Sequence, residues 1–231
     1  MLKFEGCTFS ATGANKRDKV YGLTITGAED VVVKDCLFDG MGYSAILNNG
    51  TGTLTVEGTE FHCGNIYNPI EGSQTVDNGN VTVDGCTFTG VPGNNFISFY
   101  QVAEGSVHAI KNCKFAGATN NNVIRLSNRN NAAAIFNIDD CSYEYVSGNI
   151  NEYSGFMLCQ DYTNVKGVFE DFSKYTVNIN NLTRPEEGSL VYVYEDGVGI
   201  IVTNYPAVTL DGSPILFGGA GDSMVEEEEE N

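Results

Sequence analysis

Seven cysteines and two histidines are the residues of this chain whose side chains most often bind metals or act as nucleophiles. A structural zinc site needs ligand pairs spaced as C-x2–4-C or H-x3–5-H, and the sequence contains no such pair. His62 follows a repeated stretch and precedes Cys63, whereas His108 is far away in the sequence. The two histidines also form no credible Ser-His-Asp or Cys-His set. The sequence therefore predicts no metal, no cofactor and no nucleophilic triad.

Five of the cysteines share one position in a set of similar six-residue stretches. The stretches are FEGCTF, VKDCLF, VEGTEF, VDGCTF, IKNCKF and IDDCSY, and the third of them carries Thr59 in place of cysteine. An odd number of cysteines that threonine can replace indicates small buried side chains rather than a disulfide framework. Reduced thiols are typical of proteins that fold in a reducing compartment. The sequence therefore predicts assembly in a cytoplasm.

These stretches recur with a period of roughly 27 residues, which marks solenoid proteins. The first, fourth and sixth positions are apolar or small, so we expect them to face inward. The third position is always Gly, Asp or Asn, the residue types that best tolerate a left-handed backbone. A left-handed residue breaks the two-residue alternation of a strand. Each stretch therefore predicts two short strands that meet at a corner. The stretches begin at Phe4, Val33, Val56, Val83, Ile110 and Ile138.

A third strand is predicted in each repeat, after a variable loop, at YSAILN, NFISFY, NVIRLS and SGFMLC. Three short strands per repeat form one coil of a parallel β-helix. The second position of the repeats supports the stacking, because four of its five neighbouring pairs would be opposite in charge. Exposed pairs of this kind stabilise a register only weakly. The residues are Glu5, Lys34, Glu57, Asp84, Lys111 and Asp139.

With these corners and these stacked Cys, Phe and Val positions, residues 4 to about 160 resemble the pectate-lyase-like right-handed parallel β-helix superfamily. We therefore predict an all-β, single-stranded right-handed parallel β-helix of about seven or eight coils. Regular coils would span 1–160, and degenerate coils with a C-terminal cap or hairpin would span 161–221. An acidic tail would occupy 222–231, including the run Glu226–Glu230. The stretch LVYVYEDGVGIIVTNY predicts two strands around the turn EDG.

The resemblance implies an enzymatic alternative, because lyases of this fold hold calcium on clustered carboxylates with an Arg or Lys base, and the related hydrolases use Asp residues on neighbouring coils. The candidates in this sequence are Asp139, Asp140, Arg125 and Arg129. Each also has a structural explanation. Asp140 is at the corner position, Asp139 at the charge-paired position, Arg125 on an alternating, solvated strand face, and Arg129 in an Asn-rich turn. We therefore predict no catalytic residue and keep these four as alternative candidates.

The balance of charge excludes two classes of partner. Twelve Lys and Arg against 30 Asp and Glu give a net charge of −18, which disfavours nucleic acid and anionic membranes.

No apolar run is long enough for a membrane span, and MLKFEGCTFS lacks the segments of a signal peptide.

The first coil is predicted to bind a partner, because the repeat begins within four residues of Met1 and leaves no room for a cap. Phe4 and Phe9 would contact that partner. The only basic cluster, NKRDK with Lys16, Arg17 and Lys19, is a second candidate contact. Two alternatives remain open: residues 10–22 fold back over the first coil, or a longer parent chain covers it.

The leading functional hypothesis is a non-enzymatic virion structural protein, a phage capsid decoration or fibre component assembled in the host cytoplasm. It would bind other virion proteins or its own symmetry mates. This hypothesis depends on an analogy at the level of the fold. The alternative is a carbohydrate-active or carbohydrate-binding module, or an adhesin fragment, located at the cell surface or secreted and with a glycan as its partner.

Overall fold

The computed structural model describes residues 1–11, 15, 18–118, 122–145, 155–160, 171–185, 189–194 and 205–215. These residues form 22 β-strands and two short 3-10 helices, at Cys63–Asn65 and Phe172–Lys174. No α-helix occurs among them. Strands are numbered here in chain order, and they belong to three sheets, which we call A, B and C.

Sheet A contains the first strand of each coil. Its neighbours pair in parallel, apart from an antiparallel hairpin at one edge that turns at Asp211 and Gly212. Its strands, in spatial order, are β1 (Leu2–Glu5), β4 (Val31–Lys34), β7 (Leu54–Glu57), β10 (Val81–Asp84), β13 (Ser106–Lys111), β16 (Ala134–Asp139), β19 (Tyr175–Asn180), β21 (Ala207–Leu210) and β22 (Ser213–Ile215).

Sheets B and C contain the second and third strands of each coil, and both are parallel throughout. Sheet B consists of β2 (Thr8–Ser10), β5 (Leu37–Asp39), β8 (Glu60–His62), β11 (Thr87–Thr89), β14 (Lys114–Ala118) and β17 (Ser142–Tyr145). Sheet C consists of β3 (Leu23–Gly27), β6 (Ser44–Gly50), β9 (Asn68–Gly72), β12 (Ile97–Phe99), β15 (Ile124–Leu126), β18 (Gly155–Gln160) and β20 (Ser189–Tyr194).

The fold is a parallel β-helix, as the sequence predicts, but it has about six turns rather than seven or eight. A complete turn needs one strand from each sheet, and sheet B has six strands. Two strands of sheet C, β3 and β9, were not predicted from the sequence. Pro69 in β9 hides that strand, because proline is rare inside sheets.

The predicted corner is present in every repeat. The third position has a positive φ in all six stretches, and Asn181 extends the series by one coil with a φ of 49°. The six values are 62° at Gly6, 50° at Asp35, 54° at Gly58, 62° at Gly85, 51° at Asn112 and 53° at Asp140. Non-glycine residues in this region carry a conformational cost that Asn and Asp bear best. The corner therefore explains the residue choice at this position.

The interior consists of side-chain ladders along the axis of the solenoid. The rings of Phe9, Phe38, Phe61, Phe88 and Phe115 stack face to face, with centroid separations of 4.6, 5.2, 4.6 and 4.8 Å. The last four of these rings have 0% exposure. All seven cysteines are free thiols. The predicted inward-facing columns are confirmed.

The predicted register of the charged column is also confirmed, since Glu5 pairs with Lys34 and Lys34 with Glu57. Ion pairing within it is sparser than the charges suggest. Lys34 lies 3.7 Å from Glu57, whereas Glu5 bonds Lys3 of its own strand at 2.7 Å. Both pairs are exposed, so the backbone ladder and the core set the register.

The C-terminal coils depart from the prediction in detail. The strand β20 pairs in parallel with β18 in sheet C. The turn EDG and the second strand predicted after it lie outside the described residues, as does the acidic tail. The described hairpin is β21 and β22, further along the chain.

Candidate functional site

Asp139 is the last residue of β16 and Asp140 forms the corner that follows it, and both connect neighbouring coils. One carboxylate oxygen of Asp139 accepts a hydrogen bond from the Asn180 side chain at 2.7 Å, and Asp140 accepts one from Asn181 at the same distance. Asp140 also holds the left-handed corner conformation. Asp140 therefore has the corner role that the sequence predicts, whereas Asp139 bonds an asparagine of the next coil.

Arg125 and Arg129 lie together around one tyrosine. The guanidinium carbon of Arg125 is 5.0 Å from the ring centroid of Tyr100, and that of Arg129 is 5.5 Å from it. Arg125 is only 2% exposed. The expectation that Arg125 lies on a solvated strand face is therefore wrong. Cation–π contact with Tyr100 helps to offset the cost of burying the guanidinium.

Glu71 is a buried carboxyl that the sequence analysis missed. It is 3% exposed, and it accepts a hydrogen bond from the Ser44 hydroxyl. Burial raises the pKa of Glu71, and the Ser44 and Asn68 side chains and the charge of Arg125 oppose that rise. A carboxyl group in such surroundings is held closer to its protonated form than an exposed one.

Glu71, Ser98 and Arg125 occupy equivalent positions on β9, β12 and β15, and we call them the sheet C row. Each follows an inward-facing isoleucine, so strand alternation places the row on the outer face. Ser98 is 1% exposed, and its hydroxyl has no hydrogen-bond partner within the described part of the chain. The row therefore sets a carboxyl, a hydroxyl and a guanidinium side by side, shielded from water.

A column of three tyrosines runs beside the start of sheet C. The ring of Tyr43 lies 5.5 Å from that of Tyr21 and 5.3 Å from that of Tyr67. All three are partly exposed. Tyr43 directly precedes Ser44, whose hydroxyl donates to Glu71, so this column lies next to the sheet C row. Burial, and to a smaller extent the charge of Glu71, raises the pKa of Tyr21.

The sequence holds a signal for the sheet C row. Aligning NPIEGS with NFISFY and NVIRLS on their isoleucines brings Glu71, Ser98 and Arg125 into one column. Pro69 makes the first of these segments hard to recognise as a strand. Asp139, in contrast, is the last residue of β16 in sheet A.

The first-coil end, which we define as β1, β2 and β3, is the second candidate site. Each of these strands is the last described strand of its sheet. Phe4 and Phe9 are partly buried, whereas Phe38 and Phe61 above them have 0% exposure. Met1 is 79% and Leu2 is 55% exposed. This end therefore presents strand edges and apolar side chains together.

The neighbouring loop stacks on the second coil where it is described. Ala11 donates a backbone hydrogen bond to Asp39, and Tyr43 donates one to Val20. Both hydrogen bonds join this segment to the next coil. Of the predicted basic contacts, Lys19 is exposed, while Lys16 and Arg17 lie outside the described residues.

No cluster of three potential metal ligands occurs among the residues that the structure describes. His62 bonds Asp39 on the surface at 3.3 Å. His108 is in the core between Phe99 and Phe136. In the same described ranges, no helix is long and apolar enough to span a membrane.

Comparison of the chain with models of known families, with curated proteins and with solved structures gives no match.

Proposed function

We propose that this protein is a non-enzymatic virion structural component, a phage capsid decoration or fibre protein that acts through protein–protein contacts. The observation that carries the proposal is the first-coil end. Strand edges beside partly exposed aromatic rings are ready to pair with another β-strand. A partner that added one more coil would bury Phe4 and Phe9 as fully as Phe38 is buried now.

Two further features favour a structural role. The aspartates proposed as catalytic alternatives are engaged in hydrogen bonds between coils. The solenoid also buries a continuous ladder of rings and thiols, which gives a rigid body of fixed cross-section. The predicted partners are other virion proteins or further copies of this chain, and the predicted location is the virion.

Substitution of Leu2, which is 55% exposed at the first-coil end, tests this proposal. We expect wild-type protein to form oligomers in light scattering, or to sediment with virions of the phage that encodes it. Leu2→Glu should abolish this association, because it places a charge in the contact. Ile135→Glu is the matched control, since Ile135 is 40% exposed on the outer face of sheet A.

Circular dichroism should show both variants folded. A wild-type chain that stays monomeric and binds no particle would overturn the proposal. So would a longer natural chain whose own upstream residues pair with β1.

The second candidate function is a carbohydrate-active or carbohydrate-binding module, and the sheet C row favours it. A carboxyl group with a raised pKa and a guanidinium two strands away in the same row provide groups for acid–base chemistry, and the tyrosine column adds partly exposed rings. The test is incubation with polygalacturonate and with neutral glycans, with and without calcium, followed by assays for unsaturated and reducing-end products. We expect no products. Products that disappear in Glu71→Gln and persist in the matched control Asp139→Asn would establish this function instead.

A further inference from the structure

The cysteine column contains one pair that differs from the others. Glu5 pairs with Lys34 before the corner, and Thr8 pairs with Leu37 after it. Cys7 therefore lies directly beneath Cys36. Neighbouring strands are about 4.8 Å apart, within the roughly 4.4–6.8 Å between Cα atoms that a disulfide spans.

The two thiols converge on the same corner. The Cys36 Sγ donates to the backbone oxygen of Lys34 at 3.2 Å and to that of Phe4, in the coil below, at 3.7 Å. The Cys7 Sγ donates to the backbone oxygen of Glu5 at 3.5 Å. Each of these contacts is weak, because thiols are poor donors. Little stabilisation is lost if the sulfurs turn toward each other.

Exposure to solvent distinguishes this pair from the other cysteines of the column. Cys7 is partly exposed, whereas the other six cysteines are buried. The interior pairs, such as Cys113 and Cys141, also have coils on both sides that fix their spacing. The first coil is paired on one side only among the described strands, so it can shift by the fraction of an ångström that a disulfide needs.

We propose that Cys7 and Cys36 are an oxidisable pair that a small-molecule disulfide, such as glutathione disulfide, converts to a disulfide between the first and second coils. The Cys7 thiolate attacks one sulfur of the reagent, forms a mixed disulfide and expels the first glutathione thiolate. The Cys36 thiolate then attacks the Cys7 sulfur and expels the second. Two protons leave the protein, two thiols become one disulfide, and the reagent is reduced to two molecules of glutathione.

The order of attack follows from the surroundings of each thiol. The pKa of the Cys36 thiol is raised, mainly by burial. Cys36 is therefore a slow first nucleophile. Once the mixed disulfide forms on Cys7, Cys36 is the nearest thiol to it. The product would close a loop of about 30 residues and tie β1 and β2 to the coil above. This inference does not depend on the proposed virion role.

The experiment treats the native full chain with glutathione disulfide and follows it by intact mass, peptide mapping and non-reducing electrophoresis. We expect a disulfide between Cys7 and Cys36 within one chain, no covalent cross-link between chains, and five of the seven thiols still free. Hydrogen exchange in β1 and β2 should slow by about tenfold or more, since the disulfide removes local opening. Cys36→Ser should stop at the glutathione adduct on Cys7, and Cys7→Ser should not react.

The interior pair of Cys113 and Cys141 is the internal control, and it should react only after denaturation. A stable glutathione adduct on wild-type Cys7 would overturn the proposal. A disulfide between two chains, the absence of any reaction, or oxidation of the interior pair at the same rate would each do so as well.

Discussion

The outer faces of sheets A and C differ, although the same coils build both. On sheet A, neighbouring outward residues of β13 and β16 are exposed, with Val107 at 41% and Ile135 at 40%. On sheet C, the equivalent outward residues Glu71, Ser98 and Arg125 are 1–3% exposed, and all of them are polar. Both sheets contribute inward-facing apolar residues to the same core, so the core does not dictate the chemistry of either outer face. A β-helix can therefore keep one core and change the chemistry of each outer face separately.

The largest expected effect comes from a change in the core, which all three sheets enclose. Phe88→Ala deletes a fully buried ring that sheet B contributes to the core, and we expect it to lower the free energy of unfolding by about 3–5 kcal/mol. Urea denaturation measures the loss. Phe9→Ala is the matched control at the first-coil end and should cost clearly less, because its ring is already partly exposed. Equal costs would mean that the two rings are equally internal.

The second prediction concerns the pH dependence of stability that His108 causes in the interior between sheets A and C. Its ring lies 4.9 Å from Phe99 of sheet C and 4.8 Å from Phe136 of sheet A, and burial lowers its pKa to about 3. The unfolded chain takes up a proton near its ordinary pKa of about 6.5, which the folded chain does not. Stability should therefore fall with pH below this value, by about 2 kcal/mol between roughly pH 7.5 and pH 5.

Denaturation series across this pH range, compared between wild type and His108→Gln, measure the His108 contribution. The variant should lose this part of the pH dependence. His62→Gln, at a surface histidine, should keep it. A wild type and a His108 variant with identical pH profiles would contradict the prediction.

Glu71 should make stability depend on pH in the opposite direction to His108. This dependence would distinguish the outer face of sheet C from that of sheet A. Its folded pKa is raised, so the folded chain holds a proton that the unfolded chain has already lost. The stability that this proton provides is complete below the ordinary carboxyl pKa and is lost as pH rises through the folded pKa. Glu71→Gln should remove this decline. Glu57→Gln, at an exposed carboxylate of sheet A, should leave this decline unchanged. If both variants changed the pH dependence of stability equally, Glu71 would be as solvated as Glu57.

The smallest effect is expected for the ion pair on sheet A. The side chains of Lys34 and Glu57 are 39% and 45% exposed, so solvent screens their attraction. Lys34→Ala should cost about 0.2–1 kcal/mol, and the cost should shrink at high salt. A double-mutant cycle with Glu57→Ala measures the pair directly. A coupling as large as the loss from Phe88→Ala would mean that the outer face of sheet A sets the register.

The sequence predicts the fold well wherever one physical requirement acts on a single position. Asp35 and Asn112 share only the ability to adopt a left-handed backbone, and that was enough to place the corners. Thr59 could be aligned with the cysteines because a small buried side chain suffices there.

The sheet C row was harder to predict, because no single requirement defines its position. Glu71, Ser98 and Arg125 have nothing in common as residue types, and the loops before their strands differ in length. Only the stacking of strands unites them. Burial also reversed the expectation for Arg125, since an alternating strand pattern cannot show whether an outward face is covered.

The stacking of the coils has one consequence for evolution and design. Because each turn adds about 4.8 Å along the axis, six turns set a height of about 29 Å. Duplication or deletion of one repeat would change this height in steps of a single turn and leave the cross-section and both ends intact. The length of such a solenoid would therefore change only in whole turns, one for each corner added or removed.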